Sequence, residues 1–247
     1  MRTTTLGFCK ALVIGILLPV LLAQPAAALS WVQTYNGNTG TNTLLSRVLT
    51  PDQGDYYTLA KSKGVATMQA PATNVGGNYR EVFWPANTPR VANSQVCATW
   101  TSESASSIQE GLAVRIVDGP TSTRAITVTK NVIYGIYWVF NVHTWDSSLA
   151  QPFTQVAQFD MANVVIKNGA FAPFPWRACA QITGQTLQFK IWLPNQEAEP
   201  AWNDAVHTGT ATIPADYSAA GRTGWYVGHI PPGGKATYNN LGIWKQQ

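Results

Sequence analysis

The sequence predicts an all-β fold, an antiparallel β-sandwich of two packed sheets. Short runs of alternating apolar and polar residues recur along the chain, and clusters rich in Gly, Pro and Asn separate most of them. Beyond the N-terminal segment, no stretch shows a long helical period. Short strands joined by turns, with no helices between them, are typical of an antiparallel sandwich or barrel.

The period-two pattern predicts strands along most of the chain. They cover residues 44–50, 56–60, 64–70, 79–84, 94–103, 110–118, 124–130, 133–145, 153–158, 176–183, 186–193, 224–229 and 236–245. Residues 159–175 and 194–223 are predicted to be long loops, the second with one helical turn near 200–206.

Residues 1–28 are predicted to be a secretory signal peptide. Arg2 and Lys10 form a basic start, residues 11–22 are apolar, and three alanines at 26–28 offer a cleavage site. The apolar run is too short to span a bilayer, and no later stretch approaches the roughly 20 apolar residues that a spanning helix needs. We therefore expect residues 29–247 to form one secreted domain without a transmembrane segment. Such a domain could also associate with the cell wall.

The charge balance argues against a nucleic-acid partner. The signal peptide carries two of the 16 basic residues and none of the 12 acids, so its removal lowers the formal net charge from +4 to +2. No cluster of basic residues remains, as a nucleic-acid site would require. The chain also lacks a phosphate loop, a zinc-protease motif and a dense acidic run, so neither a cofactor nor a metal site is predicted.

Cys97 and Cys179 are predicted to form a disulfide. They are the two cysteines left after removal of the signal peptide, and an even number in an oxidising compartment favours pairing. In each predicted strand the cysteine alternates onto the polar face, so two neighbouring strands would bring the sulfur atoms together.

The C-terminal third carries a recognisable series of strands and turns. It consists of WRACAQI at 176–182, a Thr183-Gly184 turn, LQFKIW at 187–192, EPAW at 199–202 and YNNLGIW at 238–244. This series resembles the concanavalin A-like lectin/glucanase superfamily, in particular the laminin-G-like sandwiches of secreted bacterial proteins. The strand 110–118 is similar to the strand of that group that carries an inward Arg, here Arg115. The resemblance covers residues 94–245 and implies a jelly-roll sandwich; Asn239 stands where the family has Asp.

The strand 133–145 is predicted to carry the ligand site. Alternation places Trp138 and Phe140 on its core face, and an aromatic and polar set on the other face, where sugar rings and hydroxyls would bind. The candidate ligand-binding residues are Tyr137, Asn141, His143 and Trp145, with Arg115, Arg80 and Trp84 from neighbouring strands. On this basis Trp145→Ala should weaken binding without unfolding the protein, whereas Trp138→Ala should destabilise the fold.

The predicted function is non-catalytic binding of a cell-envelope or environmental polysaccharide. Glucanases of the superfamily carry three acids on one strand, as Glu-x-Asp-x-Glu or Glu-x-Asp-x-x-Glu, and no such triplet occurs here. The pair Glu197 and Glu199 lies in a Pro-bounded loop and is interpreted as structural. Two alternatives stay open. One is a glycoside hydrolase or a polysaccharide lyase, the latter with a Tyr, His, Arg and Gln constellation, and the other is a protein-interaction or structural envelope module.

Overall fold

The predicted fold class is confirmed by a computed structural model that describes residues 30–49, 57–73 and 79–247. The predicted signal peptide and parts of the predicted strands 44–50 and 56–60 lie outside these residues. The described chain is almost entirely β-structure in two large antiparallel sheets, as a jelly-roll sandwich requires. Among the described residues, no helix is long and apolar enough to cross a membrane.

The strands are β1 (Trp31–Asn36), β2 (Leu44–Val48), β3 (Thr58–Ser62), β4 (Val65–Gln69), β5 (Arg80–Pro85), β6 (Ser94–Glu103), β7 (Gln109–Asp118), β8 (Thr123–Lys130), β9 (Val139–Asp146), β10 (Phe153–Asp160), β11 (Ile166–Lys167), β12 (Ala170–Phe171), β13 (Trp176–Thr183), β14 (Thr186–Trp192), β15 (Thr208–Thr212), β16 (Arg222–Gly228) and β17 (Lys235–Gln246). One helical turn, α1, spans Ala162–Val165, and a 3₁₀ turn spans Ala215–Tyr217.

Two sheets face each other. The front sheet has the strand order β10-β9-β8-β7-β16-β5-β2, and the back sheet has the order β15-β14-β13-β6-β17-β4-β3, with β1 paired to β17. Large rings fill the space between them; Trp100 stacks on Phe140 with centroids 5.9 Å apart, and Phe140 contacts Phe189 at 4.9 Å. Burial of these side chains is the main source of stability.

The structure corrects several predicted strand boundaries. The predicted strand 133–145 begins only at Val139, because Tyr134 and Gly135 have φ angles of 56° and 72° and turn the chain. Strands β1, β11, β12 and β15 and the helical turn α1 were not predicted, and the helical turn predicted near 200–206 is wrong, since the 3₁₀ turn lies at Ala215–Tyr217. β15, with the sequence TGTAT, is an edge strand that pairs only with β14, so its weak apolar pattern gives little signal.

The outer face of the front sheet carries a buried layer of three large rings. Trp84, Trp145 and Tyr226 are each at most 1% exposed and pack in one cluster with small neighbours. Gly111 makes room for this aromatic layer, since a Cβ there would lie 2.7 Å from the carbonyl oxygen of Val128 and 3.1 Å from the Tyr226 ring. The middle of this face is therefore filled rather than open.

The predicted disulfide between Cys97 and Cys179 is confirmed. The two residues are direct partners in the β6–β13 ladder, with Cα atoms 4.1 Å apart. Both are buried on the outer face of the back sheet beside Trp192. The bond joins two central strands of that sheet.

Candidate functional site

A cavity of about 150 Å³ opens on the outer face of the front sheet, beside the aromatic layer. We call it the front cavity. Its walls come from β5, β7, β9 and β10 and from the loops that follow β8 and β16. The lining residues are Arg80, Gln109, Asn131, Val132, Ile133, Asn141, His143, Trp145, Phe153, Gln155 and His229.

Strand alternation brings the β9 and β10 residues to the cavity. Asn141, His143 and Trp145 are two residues apart on β9, so all three leave the same face, opposite the core residue Phe140. The β9–β10 hairpin places Gln155 opposite His143 and Phe153 opposite Trp145. Two strands thus supply two rings, an imidazole and two amides to one wall.

The aromatic part of the wall is tightly packed. The Trp145 and Phe153 rings lie 4.9 Å apart, and the guanidinium carbon of Arg80 lies 5.5 Å from the Phe153 centroid and 5.8 Å from that of Trp145. The Trp145 indole N–H donates a hydrogen bond of 2.8 Å to Thr127 Oγ1. This bond and the surrounding rings fix the indole in place.

Two polar atoms on the wall are buried without a hydrogen-bond partner among the described residues. They are Asn141 Oδ1 and His143 Nδ1, on side chains that are 5% and 7% exposed. Burial and the nearby Arg80 lower the pKa of His143 from 6.5 to about 4, so its imidazole is neutral at neutral pH. Buried polar atoms are normally satisfied, so each of these two needs a hydrogen-bond partner from beyond the described side chains.

Gln109 connects the cavity to the aromatic layer. Its Oε1 accepts a hydrogen bond of 2.5 Å from the Tyr226 hydroxyl. Burial raises the pKa of Tyr226 well above its ordinary value, so the phenol stays protonated and keeps donating this bond. Tyr226 lies behind Gln109 and does not line the cavity itself.

Four of the seven predicted ligand-binding residues meet at the front cavity: Arg80, Asn141, His143 and Trp145. Trp84 lies in the aromatic layer, on the same face but away from the cavity wall. Tyr137 precedes β9, with its ring 5.7 Å from Phe171 and 5.8 Å from Lys130 Nζ.

Arg115 is not brought to the cavity because β7 contains a bulge. The β7–β8 register shifts between Val114 and Val117, and Arg115 adopts a φ of 50°. Its guanidinium donates to the backbone carbonyls of Ala92 at 2.9 Å, Tyr217 at 3.0 Å and Gly184 at 2.5 Å. Arg115 therefore ties three chain segments together away from the cavity.

Trp145 is more buried, and Trp138 less buried, than strand alternation predicts. Trp145 is 1% exposed and belongs to the aromatic layer, so it is as much a core residue as a cavity wall. Trp138 lies just before β9 and is only partly buried against the main core. The outer face of the front sheet is covered at this point, which strand alternation alone does not reveal.

Sequence reasoning missed Gln109, Phe153, Gln155 and His229 as lining residues, and also the loop residues 131–133 that follow β8. Phe153 and Gln155 lie in a predicted strand, and pairing it with the preceding strand in a hairpin would have placed them beside Trp145 and His143. Gln109 and His229 stand at strand ends, and His229 turns the chain with a φ of 56°. No local pattern marks these two.

Two carboxylates do meet in space, but on the core side of the front sheet. Lys130 Nζ contacts Glu110 Oε2 at 2.8 Å and also pairs with Glu103. Burial and the neighbouring Glu110 raise the pKa of Glu103, and although burial alone would lower the pKa of Lys130, the two carboxylates raise it. Glu110 shares the parity of the core residues Leu112 and Val114, so this charged triad is separated from the cavity by the sheet.

A second, wider cavity of about 520 Å³ lies between β2 and the β7–β8 turn. Half of its lining residues are Ser or Thr, and its charged members are Arg47 and Glu81, whose pKa burial raises to about 7. No aromatic ring lines it among the described residues. The front cavity is therefore the better candidate for a sugar, despite its smaller volume. Among the described residues, no group of three or more His, Cys, Asp or Glu is placed to hold a metal ion.

Comparison with solved structures identifies the architecture. The chain is similar to a Bacillus subtilis protein of unknown function with a galectin-like fold, with a TM-score of 0.56 and 11% identity over 89% of this chain and 99% of that chain. It is also similar to β-agarase A from Zobellia galactanivorans, with a TM-score of 0.50 and 12% identity over 91% of this chain and 96% of that chain. A structure of β-agarase A in complex with oligoagarose gives a TM-score of 0.50 at 11% identity, with the same shares covered.

By sequence, the chain matches no protein-family model and no curated protein. At identities this low, structural likeness establishes the fold and leaves function to the site itself. The strand order, the two packed antiparallel sheets and these similarities agree. The chain has a jelly-roll β-sandwich fold, which agrees with its resemblance to the concanavalin A-like lectin/glucanase superfamily.

Proposed function

We propose that this protein is a secreted carbohydrate-binding module and that the front cavity is its sugar site. The observation that carries the proposal is a pair of buried polar atoms, Asn141 Oδ1 and His143 Nδ1, which belong to residues of the cavity lining and lack partners among the described residues. Left empty, such atoms cost free energy, and a ligand hydroxyl would satisfy both. The aromatic wall beside them matches the apolar face of a sugar ring.

The size and chemistry of the cavity restrict what it accepts. A cavity of about 150 Å³ takes one six-membered ring. Gln155, Gln109 and Arg80 supply donors and acceptors around it, and the partly buried Phe153 supplies ring surface. We therefore propose that the site recognises one sugar residue, at a chain end or branch, rather than a long stretch of polymer.

The expected source of this sugar is a cell-envelope or environmental polysaccharide. The predicted signal peptide would deliver the chain outside the cell, and the Cys97–Cys179 disulfide is compatible with an oxidising, extracellular location. A binding module in that location would hold the protein on its polysaccharide.

Binding without hydrolysis is favoured by the absence of carboxylates from the described lining of the front cavity. Glycosidic hydrolysis normally uses two carboxyl groups flanking the bond. The carboxylates that do come together, Glu103 and Glu110, share Lys130 on the other side of the sheet.

Gln155→Ala tests the sugar site with little risk to the fold, since Gln155 is exposed on an edge strand. Loss of one hydrogen bond to the ligand should weaken binding by about 1 kcal/mol, roughly fivefold. Titration calorimetry with oligosaccharides that bind the wild-type protein on a glycan array measures the change. Thr154→Ala is the matched control, because Thr154 is exposed on the same strand and faces the other way. Equal affinities for the two variants would reject the front cavity as the site.

A second candidate function, a polysaccharide lyase, is favoured by one specific grouping. Arg80, Gln109 and His143 line the cavity, and the Tyr226 hydroxyl bonds to Gln109 behind them. In a β-elimination on a polyuronate, Arg80 and Gln109 would bind the carboxylate, neutral His143 would take the proton from C5, and the C4–O bond would break to leave a C4=C5 double bond. The protonated imidazole of His143 would then return this proton to the leaving oxygen.

Incubation with alginate or polygalacturonate distinguishes this candidate from the first. A lyase would generate the ultraviolet absorbance of unsaturated product, and His143→Gln would abolish it. A binding module would bind neutral or acidic oligosaccharides without generating this absorbance. Failure of every glycan to bind would instead favour a protein-interaction or structural envelope role.

A further inference from the structure

A second groove lies on the opposite side of the molecule, on the outer face of the back sheet. It has a volume of about 260 Å³ and spans β1, β17 and β13. We call it the back groove. Its side chains come from Gln33, Asn36, Asn38, Arg177, Asn240 and Trp244. Four amides, one cation and one indole thus face a common space.

A bulge in β17 helps to form the back groove. The β17–β6 register shifts between Asn239 and Gly242, and Asn240 adopts a φ of 48°. The carbonyl of Asn240 accepts a hydrogen bond of 2.9 Å from Arg177 Nη1, which also donates to Thr99 Oγ1 at 3.0 Å. These bonds hold the guanidinium at one end of the groove.

The positive charge of Arg177 is not neutralised by an ion pair among the described residues. Glu199 acts on it electrostatically, but Glu199 Oε1 is bound to Lys190 Nζ at 2.7 Å. The two named bonds use only Nη1, whereas a guanidinium carries five N–H donors arranged to bind planar anions. A partly buried cation with spare donors is suited to a carboxylate or sulfate.

Trp244 provides a flat apolar surface in the same groove. Its indole lies directly over Gly242, where an added Cβ would come within 2.3 Å of the ring. The ring also packs against the cluster that contains the disulfide, and it remains only partly buried. One ring face therefore rests on the sheet, and glycine is required beneath it.

From this geometry we infer that the back groove is a second binding site, for an anionic sugar that carries a carboxylate or sulfate group. The sugar ring would lie against Trp244, the anion would bind Arg177, and the amides of Gln33 and Asn36 would bond its hydroxyls. The site is independent of the front cavity, since the two open on different sheets.

Addition of a negative charge at the rim gives the sharpest test. Gln33 is exposed, so Gln33→Glu adds a negative charge beside the bound anion without disturbing the core. Titration calorimetry with oligogalacturonate, a sulfated galactan oligosaccharide and a neutral galacto-oligosaccharide separates carboxylate, sulfate and uncharged ligands. We expect Gln33→Glu to weaken the better anionic ligand by about tenfold at low salt and less at high salt, because salt screens exposed charges.

Matched variants show which groove is responsible. Gln151→Glu makes the same charge change at an exposed position in the β9–β10 turn of the front sheet and should leave anionic binding unchanged. Arg177→Gln should weaken anionic binding by at least about tenfold, and melting temperatures show whether it is folded. Gln155→Ala, in the front cavity, should have no effect on this binding.

Three results would overturn the inference: neither anionic oligosaccharide binds the wild-type protein, Gln33→Glu and Gln151→Glu weaken binding equally, or only Gln155→Ala reduces it. The last result would place the anionic sugar in the front cavity and support that site alone. Loss of neutral-sugar binding in Gln155→Ala, with anionic binding intact, would support both sites separately.

Discussion

At the scale of single residues, the fold shifts the pKa of His143, which lines the front cavity. Burial first, and Arg80 second, lower its pKa to about 4, against 6.5 in an unfolded chain. Between these pH values the unfolded state binds more protons than the folded state. The contribution to stability is therefore complete above pH 6.5 and is lost as the pH falls toward 4.

His143→Gln should remove this part of the acid sensitivity. The free energy of unfolding of the wild-type protein should fall between pH 7 and pH 4 by up to about 3 kcal/mol more than that of the variant. Urea denaturation at a series of pH values measures the difference. Parallel pH profiles for the two proteins would show that His143 is not buried in its neutral form.

Trp145 should behave as a core residue. Its side chain is 1% exposed and packs with Phe153 and Tyr226. Trp145→Ala should destabilise the protein by about 3–5 kcal/mol, the usual cost of emptying a buried aromatic site. A thermal melt of the variant checks this, and a variant that melts like the wild-type protein but loses sugar binding would restore the expectation drawn from the sequence.

Residue identities on β9 could be predicted from the sequence, but their exposure could not. Alternation correctly put Asn141, His143 and Trp145 on one face, opposite Phe140. Burial of that face depends on Tyr226 and Trp84, which are distant in sequence and meet Trp145 only after the sheet forms. The bulge that redirects Arg115 also has no local signature in the strand pattern.

At the scale of elements, central strands were predicted better than edges and turns. The hairpin of β13 and β14 was found because both strands alternate clearly around Thr183-Gly184. β1 and β15, with fewer buried residues, were missed. Pairing between distant strands, such as β6 with β13, was predictable only through the two cysteines.

The disulfide should contribute substantially to the pairing of β6 with β13. It joins residues 82 positions apart, and the chain-entropy model gives a stabilisation of about 4 kcal/mol for a loop of that length. The double variant Cys97→Ala/Cys179→Ala should unfold at correspondingly lower denaturant. Thiol labelling of the native protein provides the direct control, and two reactive thiols would contradict the bond.

The charged triad of Glu103, Glu110 and Lys130 should stabilise the fold only when all three side chains are present. Lys130→Met would leave Glu103 and Glu110 together without their cation, and breaking a buried ion pair costs about 3–5 kcal/mol. Adding Glu103→Gln and Glu110→Gln to Lys130→Met should recover part of this loss. Chemical denaturation compares the single and triple variants; equal stability of Lys130→Met and the wild-type protein would contradict the account.

At the scale of the whole molecule, the two sheets present different chemistry to solvent. The front sheet offers a small cavity with vacant hydrogen-bonding atoms, and the back sheet offers an open groove with a cation and an indole. The fold class followed from short alternating strands without helices. The back groove could not be predicted in this way, because it depends on a bulge in β17 and on β1, and the sequence pattern indicated neither.

The central claim is that the front cavity binds a sugar, and side-chain amide NMR tests it most directly. On addition of an oligosaccharide selected from a glycan array, the side-chain NH₂ resonances of Asn141 and Gln155 and the indole N–H of Trp145 should shift together and saturate with one affinity. The backbone amide of Thr154, on the opposite face of β10, should shift much less. If every selected oligosaccharide leaves the Asn141, Gln155 and Trp145 resonances in place, the front cavity is not a sugar site.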